Sequence, residues 1–197
     1  MPRIVDHEER RAELAAAVWR VIRERGIEHV SLREVAAAAG WSRGKVEHYV
    51  RDKDHLLLFA FQLFEQRSNE RMERHLRDLS GVEALREALL EDMPLDEERR
   101  NESLVWLSFI GHALTRPELT AEYRRSYERW HAMWAAVIRD MVLAGEASPA
   151  IDPEFEARTL VAFSDSVNIQ AIMDPEFYTS ERLLSMIDDF LARLERR

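Results

Sequence analysis

The residues best suited to surface chemistry lie close together in the segment 42–49. Arg43 and Lys45 can donate hydrogen bonds to guanine edges or to phosphate oxygens. His48 and Tyr49 can also hydrogen-bond phosphate oxygens, and Gly44 lacks the side chain that would hold a bound molecule away from the backbone. This combination predicts that the segment binds a nucleic acid.

Two short helices would position this segment. Ser31 begins a Ser-Leu-Arg-Glu pattern, in which the Ser31 hydroxyl and the Glu34 carboxylate each accept a backbone N–H at a helix start. Gly40 would end that helix, and Ser42 is the N-cap candidate of the next one. Two short helices joined by a glycine-containing turn predict a helix-turn-helix over residues 31–50.

The second of these helices has an inner and an outer face. Val46 and Val50 are four residues apart, so both point to the same side, which we expect to be buried. At 100° per residue, the opposite side and its flanks then consist of Arg43, Gly44, Lys45, Glu47, His48 and Tyr49. This exposed face is what would enter a major groove.

Four more residues complete the predicted DNA-binding set: Ser31, Arg33, Ser42 and Lys53. Lys53 begins the next helix, where a cation opposes the helix dipole but suits a phosphate contact. The role of Glu47 stays open, because its carboxylate could accept from cytosine N4 or could repel phosphates.

The rest of the chain also predicts helices, since glycines, prolines and N-cap residues divide it into amphipathic segments without an alternating strand pattern. The predicted helices are Asp6–Arg25, Ser31–Ala39, Ser42–Val50, Lys53–Leu79, Val82–Met93, Glu97–Leu114, Glu118–Ala144, Pro153–Met173 and Ser180–Leu194. We therefore expect an all-α fold of nine helices, with a compact three-helix head followed by a larger bundle.

Composition sets further bounds. The chain has 197 residues, 46% of them hydrophobic, and no cysteine, which excludes disulfides and thiolate metal sites. The net charge is −9, yet residues 1–55 hold 11 basic and 10 acidic residues, so the acid excess lies outside the predicted head. No signal peptide and no apolar run long enough for a membrane span are present, so we expect a soluble cytoplasmic protein without a membrane partner.

The segment Ala16–Leu57 resembles the N-terminal domain of the TetR family of transcriptional regulators. The shared features are a glycine after the first helix, a helix capped by Thr or Ser, an Ala-x-x-Ala-Gly turn, Ser-x-Gly, an aromatic pair and Lys-x-x-Leu-Leu. Here these features are Gly26, Ser31, Ala36–Gly40, Ser42–Gly44, His48–Tyr49 and Lys53–Leu57. Asp165–Leu194 is similar to the end of BetI-like members, although Ser166-Val167 departs from the Gly-Leu pair often found there. In the N-terminal segment, Glu47 departs from the tyrosine that many family members have at its position.

The resemblance implies a DNA-binding domain at residues 8–68 and a ligand-binding and dimerisation domain at residues 69–197. It also implies a homodimer, in which the last two helices form the interface, and a near-palindromic double-stranded operator as the DNA partner. We expect a repressor that a small-molecule effector releases from this operator. The effector would move the fourth helix through its apolar face, Leu56–Phe64.

Aromatic residues in the predicted bundle have two interpretations. Trp130, Met133, Trp134 and Val137 follow helical spacing, which first indicates a core stripe. They could instead line an effector pocket, since buried aromatics with a few polar groups are typical of such pockets. The candidate pocket residues are Trp106, Phe109, His112, Trp130, Met133, Trp134, Phe163 and Asn168. Asp165, Asn168 and Gln170 could also be hydrogen-bonding groups at an interface.

An enzyme is the less favoured class. The chain has no zinc-protease motif, phosphate loop, dinucleotide fingerprint or nucleophile elbow. Glu128 and His131 are three residues apart, as in carboxylate-bridged metal helices, but no second such pair follows. We therefore expect no metal, cofactor or catalytic residue, and keep a helical small-molecule-binding protein or enzyme without a DNA-binding role as the alternative.

Overall fold

The computed structural model describes residues 7–196 and the side chains of residues 7–194. Within residues 7–196 it contains nine α-helices, one 3-10 turn (Ile27–His29) and no β-strand. The helices are α1 (His7–Arg25), α2 (Leu32–Ala39), α3 (Arg43–Glu47), α4 (Lys53–Leu76), α5 (Gly81–Asp92), α6 (Glu97–Ala113), α7 (Pro117–Ala144), α8 (Pro153–Met173) and α9 (Ser180–Arg196). The predicted all-α fold of nine helices is confirmed over this range.

Helix ends differ from the predicted ones by a few residues. Asp6, the predicted start of the first helix, and Arg197, the end of the predicted second domain, lie outside the described residues. Helix α3 ends at Glu47 rather than at Val50, although the Val50 N–H still donates to the Val46 carbonyl at 3.1 Å. Helix α4 ends at Leu76, after which the chain continues as a hydrogen-bonded turn.

The chain forms two compact units. Unit 1 consists of residues 7–69 and Leu104–Tyr123, and unit 2 consists of Glu70–Ser103 and residues 124–196. Helices α4, α6 and α7 each contribute residues to both units. The domain boundary expected between residues 68 and 69 stays a prediction.

Unit 1 is held by an aliphatic core in which α1 to α4 meet. Leu14 and Val18 of α1, Val35 of α2, Val46 of α3 and Leu56 of α4 are all fully buried. Burial of one such side chain contributes roughly 1.5–3 kcal/mol, so this core fixes the two short helices that local hydrogen bonds alone could not hold. Helix α6 joins the core through Phe109, whose ring stacks on that of Phe61 with centroids 4.0 Å apart.

Unit 2 has a separate core. Its fully buried side chains come from α5, α7, α8 and α9, and include Leu85, Leu89, Ile138, Leu160 and Ile187. α5 packs against α9 and α8 in this unit.

A buried carboxylate, Glu91, lies beside the core of unit 2. It forms ion pairs with Arg71 and with Arg99, whose Nη2 lies 2.8 Å from Glu91 Oε2. Arg71 also donates two hydrogen bonds to Glu102, at 3.0 and 2.8 Å. Glu91 thus bridges two guanidinium groups, which is the pairing a buried charge requires.

Candidate functional site

The helix-turn-helix of unit 1 is built by local hydrogen bonds at each helix end. The Ser31 hydroxyl accepts from the Glu34 N–H at 3.2 Å, and the Ser42 hydroxyl accepts from the Lys45 N–H at 3.3 Å. Gly40 takes a left-handed conformation with φ 67°, which glycine adopts without a Cβ penalty. The chain therefore reverses between α2 and α3 where the sequence predicted the turn.

One half of the predicted capping pattern differs. The Glu34 carboxylate accepts from Arg25 and Arg33 instead of from the Ser31 N–H. Hydrogen bonds from Arg25 and then Arg33 lower the pKa of Glu34. Arg25 lies at the end of α1, so the Glu34 carboxylate links α1 to α2 instead of capping the N-terminus of α2.

The orientation of α3 follows from its two buried valines. Val46 and Val50 are buried in the core of unit 1. The side chains of Arg43, Glu47 and His48 are exposed, Gly44 is exposed, and no atom would lie within 4 Å of a Cβ at residue 44. The face that the sequence predicted as DNA-contacting is thus open to a large partner.

The charged groups on this face already have partners within unit 1. Arg43 Nε donates to Glu47 Oε1 at 2.7 Å. Lys45 Nζ lies 3.5 Å from the centroid of the Trp41 ring, a cation–π contact. The Tyr49 ring lies against the same indole, with centroids 5.7 Å apart. Trp41, which the sequence analysis did not include in the site, therefore contacts both Lys45 and Tyr49. Its place in the turn, between the glycine and the N-cap serine, was the available signal.

The remaining predicted DNA contacts lie around the two helices. Ser42 is exposed, Ser31 is partly buried, and the side chain of Arg33 is 82% exposed. Lys53 Nζ donates to the carbonyls of Ile27 and Glu28 at 2.8 and 3.2 Å. The ammonium group therefore holds the start of α4 against the 3-10 turn and keeps one N–H for another acceptor.

The eight predicted pocket residues are divided between the units. Trp106, Phe109 and His112 belong to unit 1, and the first two line a small apolar cleft together with Trp19, Phe61 and Phe64. His112 Nε2 lies 3.0 Å from Asp54 Oδ1, and Arg116 Nε lies 3.1 Å from the same oxygen. His112 is thus part of an ion-pair cluster at the start of α4.

The other five predicted pocket residues belong to unit 2: Trp130, Met133, Trp134, Phe163 and Asn168. The Trp130 and Trp134 rings stack with centroids 6.1 Å apart, and Phe163 stacks on Phe190 at 4.3 Å. Trp134 is buried in the core of unit 2, as the core-stripe interpretation expects. Asn168 is 4% exposed, and its Nδ2 donates to the Asp92 carbonyl at 2.6 Å.

Two carboxyl groups of unit 2 lie near Asn168. The Asp92 carboxylate accepts from the Ser164 hydroxyl, and the Asp165 carboxylate accepts from the Tyr127 hydroxyl. Burial raises the pKa of Asp165 to about 7, against the effect of the Tyr127 hydrogen bond. Burial of its carboxyl group also raises the pKa of Asp92, against the effect of the Ser164 and Asn168 hydrogen bonds. Nothing in the sequence singles out Asp92, the last residue of α5.

The described residues contain no group of three or more histidine, cysteine or acidic side chains that could hold a metal ion. His131, considered above with Glu128, lies with its Nδ1 3.1 Å from Arg158 Nη1. Over residues 7–196, no helix is long and apolar enough to cross a membrane.

Comparison with known families gives two matches. Residues 14–59 match the family described as bacterial regulatory proteins, tetR family. Residues 81–195 match the family described as BetI-type transcriptional repressor, C-terminal.

Individual relatives agree with these matches. The chain is 32% identical to the HTH-type transcriptional regulator PksA of Bacillus subtilis, over 95% of this chain and 90% of that protein. It is 27% identical to the HTH-type transcriptional regulator BetI of Burkholderia mallei, over 98% and 97%.

Solved structures show the same fold. A transcriptional regulator from Rhodococcus sp. Rha1 superposes with a TM-score of 0.83 at 32% identity, covering 93% of this chain and 95% of that one. A transcriptional regulator from Saccharomonospora viridis, solved in complex with choline, has a TM-score of 0.84 at 22% identity, covering 94% and 96%.

Proposed function

This chain belongs to the TetR family of DNA-binding transcriptional regulators, and we propose that it is a homodimeric repressor that a small-molecule effector releases from a near-palindromic operator. The observation that carries this proposal is the exposed face of α3, which two buried valines turn away from the core of unit 1. A transcriptional repressor acts on chromosomal DNA, so the proposal places it in the cytoplasm.

The proposed base contacts come from α3. Arg43 and Lys45 supply cations, and Gly44 allows close approach to the groove. His48 and Tyr49, directly after α3, are proposed to hydrogen-bond phosphate oxygens. Ser31, Arg33, Ser42 and Lys53 are proposed as surrounding contacts to the backbone of the DNA, Lys53 through its remaining N–H. Two such heads would insert α3 into successive major grooves, about 34–36 Å apart or a multiple of that spacing.

The proposed dimer surface is a face of α8. Phe155, Ala162, Ser166 and Met173 are exposed and follow one another at intervals of seven, four and seven residues, so they lie on one side of the helix. Phe155 and Met173 are 62% and 76% exposed, and the small residues between them would allow a second helix to pack closely. This face lies within the part of the chain that matches the BetI-type family.

The dimer can be tested by substitution on this face. Ala162→Arg should give a monomer in sedimentation analysis and a loss of operator binding, because arginine would block helix contact there. Ala136→Arg, at an exposed position on α7, is the matched control and should remain dimeric. A dimeric Ala162→Arg protein would place the interface elsewhere.

The proposed effector site lies within unit 2, around Trp130, Met133, Trp134, Phe163 and Asn168. Asn168 supports this location because its Oδ1 is buried without a hydrogen-bond partner among the described residues, a state that an additional donor would relieve. For Trp106, Phe109 and His112, which belong to unit 1, a role in effector binding stays a prediction. The effector must bind the DNA-free conformation more tightly to release the operator.

A gel-shift assay on the DNA flanking the protein's own coding region tests the central claim. We expect one segment to be bound more tightly than random DNA, and Arg43→Ala with Lys45→Ala to weaken that binding about tenfold or more. Arg124→Ala with Arg193→Ala removes the same charge from exposed positions of unit 2 and should change little. Equal affinity for operator and random DNA would reject the proposal.

A further inference from the structure

We propose that Glu47 is a positioning residue, which holds the Arg43 guanidinium so that only its outer edge can contact a guanine. This inference rests on the proposed operator binding through α3. It adds a determinant of base preference that Arg43 alone would not provide.

The geometry leaves one edge of the guanidinium for DNA. Arg43 Nε donates to Glu47 Oε1 at 2.7 Å, four residues further along α3. Among the residues that the structure describes, Nη1 and Nη2 of Arg43 have no partner. The side chains of Arg43 and Glu47 are 68% and 45% exposed, so both are accessible to a partner.

An unrestrained arginine has two edges that can donate a pair of parallel hydrogen bonds, Nε with one Nη and Nη1 with Nη2. The major-groove edge of guanine offers two acceptors, N7 and O6. With Nε bonded to Glu47, only the pair Nη1 and Nη2 remains. While this bond is kept, Arg43 meets guanine end-on, and a guanidinium already held in place loses less rotational freedom on binding.

Helix stability does not account for this ion pair. In α3 the arginine is at the first residue and the glutamate at the last, the reverse of the order that the helix dipole favours. Exposed ion pairs contribute little to folding in any case. What the pair does determine is where the guanidinium points.

Lys45 is the contrasting cation on the same helix. Its Nζ lies over the Trp41 ring, a cation–π contact that ties up no carboxylate partner and leaves N–H donors on the outer side for phosphate or base. Glu47 therefore acts on one of the two cations of α3, and its removal should affect the base pair that Arg43 contacts rather than the whole operator.

The test measures the affinity of each protein for operators in which every base pair is varied in turn. Wild type should prefer guanine at one base pair of each half-site by roughly ten- to a hundredfold, and Arg43→Ala should lose this preference. Glu47→Gln should keep most of it, because the amide oxygen still accepts from Nε. Glu47→Ala should weaken the preference at that same base pair, and the double variant Glu47→Ala with Arg43→Ala should lose no more preference than Arg43→Ala alone.

Glu24→Gln removes one negative charge from an exposed position of α1 and controls for charge alone. Circular dichroism checks that each variant is folded. If Glu47→Ala keeps the guanine preference and binds every sequence more tightly, Glu47 only repels phosphates and the proposal is wrong. Loss of preference at a base pair other than that of Arg43 would also overturn it, since Glu47 would then contact a base itself. If the wild-type protein shows no base preference at any position of the operator, the proposed function itself is wrong, whatever the variants show.

Discussion

The Asp165→Asn protein should lose less stability than the wild type as the pH rises from acid to neutral, because the fold favours the neutral form of the Asp165 carboxyl group. Burial raises the pKa of Asp165 from an ordinary 3.8 to about 7. When folding raises the pKa of a group, its protonated form stabilises the folded state fully at any pH below the unfolded-state pKa. This stabilisation is lost as the pH rises to the folded-state pKa. The loss should therefore develop between pH 3.8 and about 7.

The magnitude follows from the same two values. Each pH unit between the folded-state and unfolded-state pKa corresponds to about 1.4 kcal/mol, so the full effect is at most about 4 kcal/mol. Asparagine keeps an acceptor for the Tyr127 hydroxyl and carries no ionisable group. The free energy of unfolding of the wild type, relative to that of Asp165→Asn, should thus fall by up to this amount from acid to neutral pH.

Urea denaturation over a pH series, at one fixed protein concentration, measures this difference directly. Asp189→Asn, an exposed position on α9, is the control and should follow the wild type at every pH. Parallel curves for the wild type and Asp165→Asn would refute the reasoning, because they would show that Asp165 ionises as readily in the folded protein as in the unfolded chain.

Three further predictions, each with its own control, test other features of the structure. Gly40→Ala should lower the free energy of unfolding by roughly 1 kcal/mol in thermal melts, because φ is 67° at this residue. Gly44→Ala should leave the free energy of unfolding unchanged or higher, and should weaken operator binding. Equal stability of Gly40→Ala and wild type would contradict the left-handed turn. Ser31→Ala should cost about 1 kcal/mol by removing the cap of α2, and Ser31→Thr should restore most of it; an unaffected melting temperature for Ser31→Ala would show that the cap is dispensable. Glu91→Ala should lower the free energy of unfolding by roughly 3 kcal/mol, because Arg71 and Arg99 lose their shared partner. Glu83→Ala, at an exposed position, is the control and should leave it unchanged. Similar denaturation midpoints for these two variants would argue against the buried network.

The features of the head that were predicted correctly depend on short-range chemistry. Ser31 and Ser42 cap helices because a hydroxyl can reach an N–H three residues ahead, and Gly40 turns the chain because it lacks a Cβ. The inward direction of Val46 and Val50 follows from helical spacing alone. These requirements are visible in any sequence that contains the residues at those intervals.

Other features depend on partners that are distant in the sequence. Lys53 was predicted as a phosphate contact, but the folded chain brings the carbonyl of Ile27 within 2.8 Å of its ammonium group. His112 was assigned to an effector pocket by its aromatic neighbours, whereas its ring meets Asp54, 58 residues earlier. The Ser164 hydroxyl reaches the Asp92 carboxylate because α5 and α8 pack together, and no local pattern specifies that contact.

The stacking of Phe61 on Phe109 has a consequence for the exchange of parts between relatives. Unit 1 includes Leu104–Tyr123, a stretch that comes long after its helix-turn-helix in the chain. A fragment that stops at residue 68 would leave the Phe61 ring without its stacking partner and expose apolar surface. A chimaera designed to transfer DNA preference should therefore contain both segments of unit 1, residues 7–69 and Leu104–Tyr123. The coding sequence of this structural unit is thus split into two separate stretches of the gene.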